Sequence, residues 1–387
     1  MVTPASCTLS LPDFENSDWD KMAWVEPSFT VQHVNAAGKG FLKFATSSDW
    51  TVEDYSAYEK ALPVINNWRA SHGYPLNTFQ INLRHASRRF DSAPLIAQRT
   101  KRLSSIATKL ARFPNMKLSQ MQDIGGCRSV LHSISAVRQL DQFYARLSQI
   151  KHRLQTRDDY ISNPQRSGYR GVHLVYRYLS DKPAKAVYNG LKIEIQIRSQ
   201  YQHAWATAVE TVGTFVSEAL KSSTGPQNWL RFFALMGSAI AMREKAPPVP
   251  DTPGDETELI DELKMLAGQL NVENRLNGYA NALQTIEQQT GRAHYYLLQL
   301  EPQTSKLTVR GFQRDELPAA QAFYLDAERS LKQNPGMDAV LVSVDSLAAL
   351  QRAYPNYFAD TRVFVELLRQ ALSGTRRRVF PKQGNLF

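Results

Sequence analysis

Two cysteines in 387 residues, Cys7 and Cys127, leave this chain no disulfide framework and no cysteine-rich zinc site. No apolar run approaches the roughly 18 residues of a membrane-spanning helix, and no signal-peptide pattern opens the sequence. The expectation is a soluble, cytoplasmic protein with no membrane partner. G-x-x-x-x-G-K-[ST] is missing, as are a G-x-G-x-x-G after a strand, G-x-S-x-G and H-E-x-x-H. Those absences exclude a P-loop, a dinucleotide fingerprint, a nucleophile elbow and a zincin helix. The eight histidines are scattered without ligand spacing, and no His-Asp dipeptide occurs.

What is present is enough for folded cores. Hydrophobic residues make up 43% and charged residues 21%, and the length suits two or three domains. The net charge of +10 is unevenly placed. Residues 91–200 hold 19 Lys+Arg against 7 Asp+Glu, whereas 1–90 and 201–387 are near balance. A local excess points to an anionic ligand, either nucleotide phosphates or nucleic acid.

Residues 1–40 look like an acidic, turn-rich N-terminal extension. A domain over 41–245 follows, with a helix capped by Thr51 and Asp54 and another from about Asn77 to Phe90. The spacing then predicts a helix over 95–112 and a strand Gly126–His132. A further helix near 134–149 precedes strands near 152–160, 171–179 and 189–197, and two long helices end near Lys245. This is a mixed α/β (α+β) fold with a single sheet. Residues 246–257, with four prolines, read as a linker. Beyond it, 258–373 reads as a smaller C-terminal α+β domain of possible regulatory role, with a long helix over 258–290. The tail 374–387 is basic, with Arg376, Arg377 and Arg378. The balanced charge of the C-terminal half argues that it controls the basic segment, so a chain ending near Lys245 is expected to stay folded and active.

On a helix over 95–112, Lys101, Ser105, Lys109 and Arg112 share one face, opposite Ile96, Leu103, Ile106 and Leu110. Three crowded cations repel unless an anion such as a polyphosphate covers them; an ordinary amphipathic surface helix gives the same periodicity. The strand Leu191–Arg198 alternates, with Lys192, Glu194, Gln196 and Arg198 on one side. Two carboxylates can hold Mg²⁺ against phosphates, and Asp123, just before Gly125-Gly126, is the candidate partner for Glu194. In the loop 159–173, Tyr169 sits between glycines beside Arg166, Arg170 and His173. That setting suits base stacking, or a tyrosine packed onto the sheet.

In this order the pieces resemble the synthetase domain of the RelA/SpoT family. They are Arg99-x-Lys101-x3-Ser105-Ile106-x2-Lys109-Leu110-x-Arg112, then Met121-Gln122-Asp123-Ile124-x-Gly126-x-Arg128. Next come Asp159-Tyr160-Ile161-x2-Pro164-x3-Gly168-Tyr169-x3-His173 and Glu194-Ile195-Gln196-Ile197-Arg198-x4-His203-x-Trp205-Ala206-x3-Glu210. The resemblance covers about 95–215 well and implies a nucleotidyltransferase-like fold. It also implies transfer of the β,γ-pyrophosphate of ATP to the 3′-hydroxyl of GDP or GTP, giving ppGpp or pppGpp and AMP.

By that resemblance Arg99 and Arg128 clasp the adenine, and Lys101, Ser105, Lys109 and Arg112 hold the ATP phosphates. Asp123 and Glu194 bind Mg²⁺, with Glu194 also taking the proton of the attacking hydroxyl. Tyr169 stacks on the acceptor base, supported by His173 and Gln196. Two departures fall on the acceptor side: Gln165 stands where the family commonly has Lys, and Thr211 where a His often follows the glutamate. They keep open a toxin-like transfer to the 3′-CCA end of tRNA, and a catalytically inactive nucleotide- or RNA-binding regulator. Association with a second copy of the chain is also left open.

Overall fold

The computed structural model of the chain describes residues 24–46, 49–146, 151–215, 226–288, 293–330, 337–344 and 346–374. The acidic stretch Asp13–Asp20 and the tail Arg376–Arg378 lie outside them.

Helices α1 (Val31–Thr46), α2 (Val52–Ser71) and α3 (Gly73–Ser87) come first. Helix α1 therefore occupies part of the expected extension. Thr51 caps α2 through a reciprocal box with Asp54, as the sequence indicates. Helix α2 ends just before Gly73, and Gly73 and Pro75 fall in the first turn of α3, where a missing N–H costs nothing.

Next come β1 (Leu95–Thr100), α4 (Leu103–Arg112), β2 (Gly125–Leu131), α5 (Ile134–Arg146), β3 (Arg153–Asp159) and β4 (Val172–Arg177). A single turn α6 (Pro183–Ala186), β5 (Lys192–Ser199), α7 (Gln200–Phe215) and α8 (Pro226–Arg243) follow. The expected helix over 95–112 is thus a strand and then a helix. Residues 95–100 pair along their whole length with β2, and six such registers outweigh a helical wheel. Lys101 consequently stands in the connection, not on the helix face.

The remaining elements are α9 (Glu256–Gln269), α10 (Val272–Ala282), β6 (Gln284–Gln288), β7 (Tyr295–Glu301), β8 (Lys306–Phe312), α11 (Leu317–Ser330), β9 (Asp338–Ser343), α12 (Leu347–Ala353) and α13 (Arg362–Leu372). The helix expected over 258–290 is broken at Asn271, whose left-handed backbone (φ 48°) turns α9 into α10, and it gives way to β6.

The nine strands among the described residues join one mixed sheet in the order β3-β4-β5-β2-β1-β9-β7-β8-β6. The strands of 258–373 do not make a sheet of their own: β9 pairs antiparallel with β1 through Gln98–Ser343 and Arg99–Val342. Between the two halves, Val249 of the proline-rich segment is buried and its N–H donates to Ser238 Oγ at 2.8 Å.

Helices α3 and α5 cover one face of the first half-sheet through Leu76, Leu83, Val137 and Leu140 against Ile193, Ile195 and Ile197. Helices α1, α2 and α4 share a core of Phe41, Leu62, Ile65, Ile106 and Leu110. Helices α7, α8, α9 and α13 form another, with Trp229, Phe232, Leu263 and Phe364.

The joint is also ionic. Arg69 of α2 is buried and donates to both carboxylate oxygens of Glu328 on α11, at 2.6 and 3.0 Å, and to Tyr324 Oη at 2.8 Å. Glu328 also accepts from the Leu103 N–H at 2.9 Å, and Arg69 Nε donates to the Lys101 carbonyl at 2.9 Å. Arg102 pairs with Asp338 beside the Tyr357 hydroxyl.

Candidate active site

Strand register assembles the site. Gly126 of β2 faces Glu194 of its parallel neighbour β5, and Arg128 faces Gln196. His173 of β4 lies opposite Gln196, and Arg99 of β1 lies opposite Gly126. Side chains alternate across a strand, so Arg99, Arg128, His173, Glu194, Gln196 and Arg198 share one face while the isoleucines of β5 fill the core. Gly126 keeps the space beside Glu194 open: a Cβ there would sit 4.0 Å from Glu194 Oε2.

Two carboxylates anchor the electrostatics. Asp123 precedes β2 and receives Lys101 Nζ at 2.7 Å and Lys109 Nζ at 2.9 Å. Burial pushes its carboxyl upward, but the two ammonium groups prevail and hold it below the ordinary range. Glu194 is bonded to His173 Nδ1 at 2.9 Å and to Gln196 Nε2 at 2.8 Å. Burial and Asp123 act to raise Glu194, His173 and Gln196 act to lower it, and the net shift is downward. Both groups therefore stay ionised at neutral pH.

A hydrogen-bonded chain runs outward from Glu194. His173 Nε2 meets the Tyr169 hydroxyl at 2.5 Å, and with the proton on Nδ1 the histidine donates to Glu194 and accepts from Tyr169. On the other side, Arg198 Nη2 donates to Gln196 Oε1 at 2.6 Å. The Tyr169 ring is half-buried, edge-on to Tyr160, His173 and Trp205. Gly168 (φ 96°) makes this bend: a side chain there would strike the Phe233 carbonyl at 2.7 Å and Trp205 at 2.9 Å.

Of the residues singled out in the sequence, Lys101, Lys109 and Asp123 converge, and so do Tyr169, His173, Glu194 and Gln196. Arg99 and Arg128 stand on adjacent strands. Ser105 is half-buried on α4. Arg112 closes α4 three residues after Lys109 and is exposed, with its guanidinium over Phe113 at 5.5 Å.

Other contributors were not singled out. His203 of α7 is buried, and its Nε2 lies 3.0 Å from the Arg352 carbonyl. Arg128 Nη1 donates to the Ala353 carbonyl at 3.3 Å, and its guanidinium lies over the Tyr354 ring. His203 is part of a motif block in the sequence; Tyr354 carries no local signal. Burial and Arg198 press Arg128 down to about 10, and burial with Arg128 and Arg198 depresses His203 strongly. Arg128 Nε, Arg198 Nε and His203 Nδ1 are buried without partners.

The donor set suits Mg²⁺. Two hard carboxylates beside a cationic surface are what that ion takes together with substrate phosphates. Among the described residues no cluster of three or more His, Cys, Asp or Glu side chains forms a self-sufficient metal cage.

A mixed α/β protein with two ionised carboxylates among lysines, arginines and a histidine is the class these observations define. Residues 98–212 match the family described as the region found in RelA/SpoT proteins. Over 180 residues it is 26% identical to a GTP pyrophosphokinase of Haemophilus influenzae, covering 44% of this chain and 21% of the relative. It thus spans about a fifth of that protein's length.

Among solved structures, a GTP pyrophosphokinase family protein from Streptococcus pneumoniae is 22% identical, covering 45% of this chain and 87% of the other, with a TM-score of 0.35. Small alarmone synthetase 1 from Bacillus subtilis is 20% identical, covering 45% and 88%, with a TM-score of 0.36. A structure of that synthetase bound to its product pppGpp is 18% identical, covering 54% and 94%, with a TM-score of 0.32. Among the described residues, no helix is long and apolar enough to cross a membrane.

Proposed function

We propose that the chain is an ATP-dependent pyrophosphotransferase. The observation that carries this reading is the pair Asp123, just before β2, and Glu194 on the neighbouring β5, each held ionised by its own cationic or imidazole partner. Phosphoryl-type transfer needs positioning and charge neutralisation above all. Lys101 and Lys109 neutralise the donor phosphates, and Arg99 and Arg128 hold the adenine. Tyr169 stacks on the acceptor base, with His173 and Gln196 fixing its approach. Ser105 and Arg112 complete the phosphate contacts.

In the step itself, the acceptor 3′-oxygen forms a bond to the β-phosphorus of ATP. The bond from that phosphorus to the α,β-bridging oxygen breaks, and AMP departs with the electron pair. Glu194 accepts the hydroxyl proton, while His173, donating through Nδ1, and Gln196 orient its carboxylate. Magnesium, held by Asp123 and Glu194, would supply charge stabilisation for the polyphosphate.

GDP or GTP is the acceptor that the RelA/SpoT domain supports. The second reading, transfer to the 3′ end of tRNA, rests on the basic excess of 91–200 and on the exposed acceptor loop, where Gln165 and Arg166 face solvent. Residues 258–373 act as a controlling element in either case. Ala353 and Tyr354 contact the same arginine that this reading gives to the adenine.

Incubation with γ-labelled ATP and a panel of GDP, GTP, ADP, ATP and bulk tRNA tests the proposal. Label moving to GDP or GTP supports the first acceptor, and label on tRNA the second. No label on any acceptor, in the wild type or with Tyr354→Ala, would overturn the enzymatic reading.

A further inference from the structure

Three cations close to Glu194 have no part in the step described above. Arg153 of β3 is paired with Arg177 of β4, and Arg177 is paired with Lys192 of β5. Residues paired across strands share a sheet face, and Lys192 and Glu194 are two apart on one strand. All three cations therefore stand on the face that carries Glu194, His173 and Gln196. Abreast on three strands, they make a row about 10 Å long, set off from Glu194 by one step of about 7 Å along the strands. Arg153 and Arg177 are exposed, and Lys192 is half-buried.

Like charges directly opposite one another destabilise a sheet. The neighbouring carboxylates do not relieve this row, because they are committed elsewhere: Asp141 to Arg157, Asp159 to Arg138 and Asp181 to Lys151. Lys192 Nζ donates to the Gln120 carbonyl at 3.3 Å, and burial together with Arg177 lowers its pKa. The face is also polarised. In the other direction along β3 stands the exposed Asp158, paired with His173. An anion on this face is thus repelled from the His173 end and drawn to the Arg153–Arg177–Lys192 end.

We propose that this row is a second polyphosphate subsite, which holds the acceptor's own 5′-di- or triphosphate and selects a free nucleotide over a nucleoside or a nucleic-acid end. Lys101 and Lys109 are gathered on Asp123, at the donor side. With the acceptor base on Tyr169 and its 3′-hydroxyl at Glu194, one ribose separates that hydroxyl from the 5′-phosphates, and one row step separates Glu194 from the three cations. Adjacent cations match the clustered charge of one nucleotide's phosphates. A polynucleotide end offers a single charge per residue, strung along its backbone. The identity of the ligand rests on the proposed acceptor reading; the affinity of the row for a polyphosphate does not.

Guanosine, GMP, GDP and GTP, titrated calorimetrically into the full chain with Mg²⁺, test the subsite. GDP should bind roughly tenfold more tightly than guanosine, with GMP between them and GTP at least equal to GDP. Arg153→Gln and Arg177→Gln should each weaken GDP roughly fivefold, the upper range for one exposed ion pair. Guanosine affinity should stay at the wild-type value in both variants, which a merely structural loss would not allow, and Arg177→Lys should retain most of the GDP affinity. Equal affinity for GDP and guanosine in the wild type, or parallel loss of both in the variants, would overturn the subsite. Should none of the four bind, the acceptor reading fails and tripolyphosphate decides on the row alone. A Kd for tripolyphosphate raised roughly tenfold or more in the chain carrying both Arg153→Gln and Arg177→Gln would sustain the row as a polyphosphate site; an unchanged Kd would overturn it.

Discussion

The guanidinium of Arg128 lies 5.8 Å from the ring centroid of Tyr354, while its Nη1 bonds the preceding carbonyl of Ala353. A tyrosine from the C-terminal third thus covers one of the two arginines to which the adenine of ATP is assigned. Tyr354→Ala should uncover it. Since apparent affinity falls with the fraction of competent molecules, roughly tenfold tighter binding of an ATP analogue is expected if about a tenth of the wild type is open. Calorimetry checks this, and unchanged or weaker binding would remove Tyr354 from any controlling role.

Asp123→Asn and Glu194→Gln should each abolish transfer with the fold retained. Either removes a metal carboxylate and with it several kcal/mol of transition-state stabilisation, on the order of 10²-fold or more in rate. Circular dichroism establishes the fold, and the label assay the loss. A variant keeping a tenth of the activity would contradict the assignment.

Tyr169→Ala should weaken acceptor use by roughly 5- to 150-fold, the range for one base–aromatic stack. ATP affinity should barely change. Because Tyr169 also bonds His173, Tyr169→Phe separates the two roles: it keeps the ring and removes the hydroxyl at 2.5 Å. Equal loss of donor and acceptor binding in the alanine variant would make the residue structural.

Much of this site is legible in the sequence because strand alternation and fixed motif spacing act locally. Glu194, Gln196 and Arg198 alternate with isoleucines, and that pattern alone gives the face. The misread stretch 95–100 is instructive. Ile96 fits a helical wheel with Leu103, Ile106 and Leu110 as well as it fits a strand, and only the pairing of 95–100 with β2 and β9 decides between them. The same long-range pairing hides the role of Tyr354 and makes 258–373 look separable. The prolines of 246–257 do end a helix, but the chain then returns to extend the same sheet.

That return reverses the expectation for a chain ending near Lys245. It would strip Glu328 and Tyr324 from Arg69, β9 from β1, and Phe364 from the α8 aromatics Phe232 and Phe233. Breaking a buried pair by removing one partner costs about 3–5 kcal/mol. Residues 1–245 should be insoluble, and Glu328→Gln in the full chain should lower the melting temperature markedly. A soluble, cooperatively melting 1–245 fragment would contradict this.

His72, buried between α2 and α3, is bonded through Nδ1 to the Trp68 carbonyl at 2.6 Å, and burial lowers its pKa to about 4. A histidine depressed in the folded state binds protons more readily when unfolded. Its contribution is therefore fully present above about pH 6.5 and is lost as pH falls toward 4, by on the order of 3 kcal/mol. Chemical denaturation from pH 7 to 4.5 should show this decline, and His72→Gln should flatten it. Identical slopes would place the acid sensitivity elsewhere.

The identity of the adenosine product tests the central claim most directly. A pyrophosphotransferase converts ATP to AMP in one step, whereas a monophosphate kinase or ATPase makes ADP. Full-length protein carrying Tyr354→Ala, supplied with Mg²⁺, ATP and the acceptor panel, should release AMP in equal number with acceptors that gain two phosphates. The same chain with Glu194→Gln added should release none. ADP as the product, or AMP formation that survives Glu194→Gln, would contradict the account.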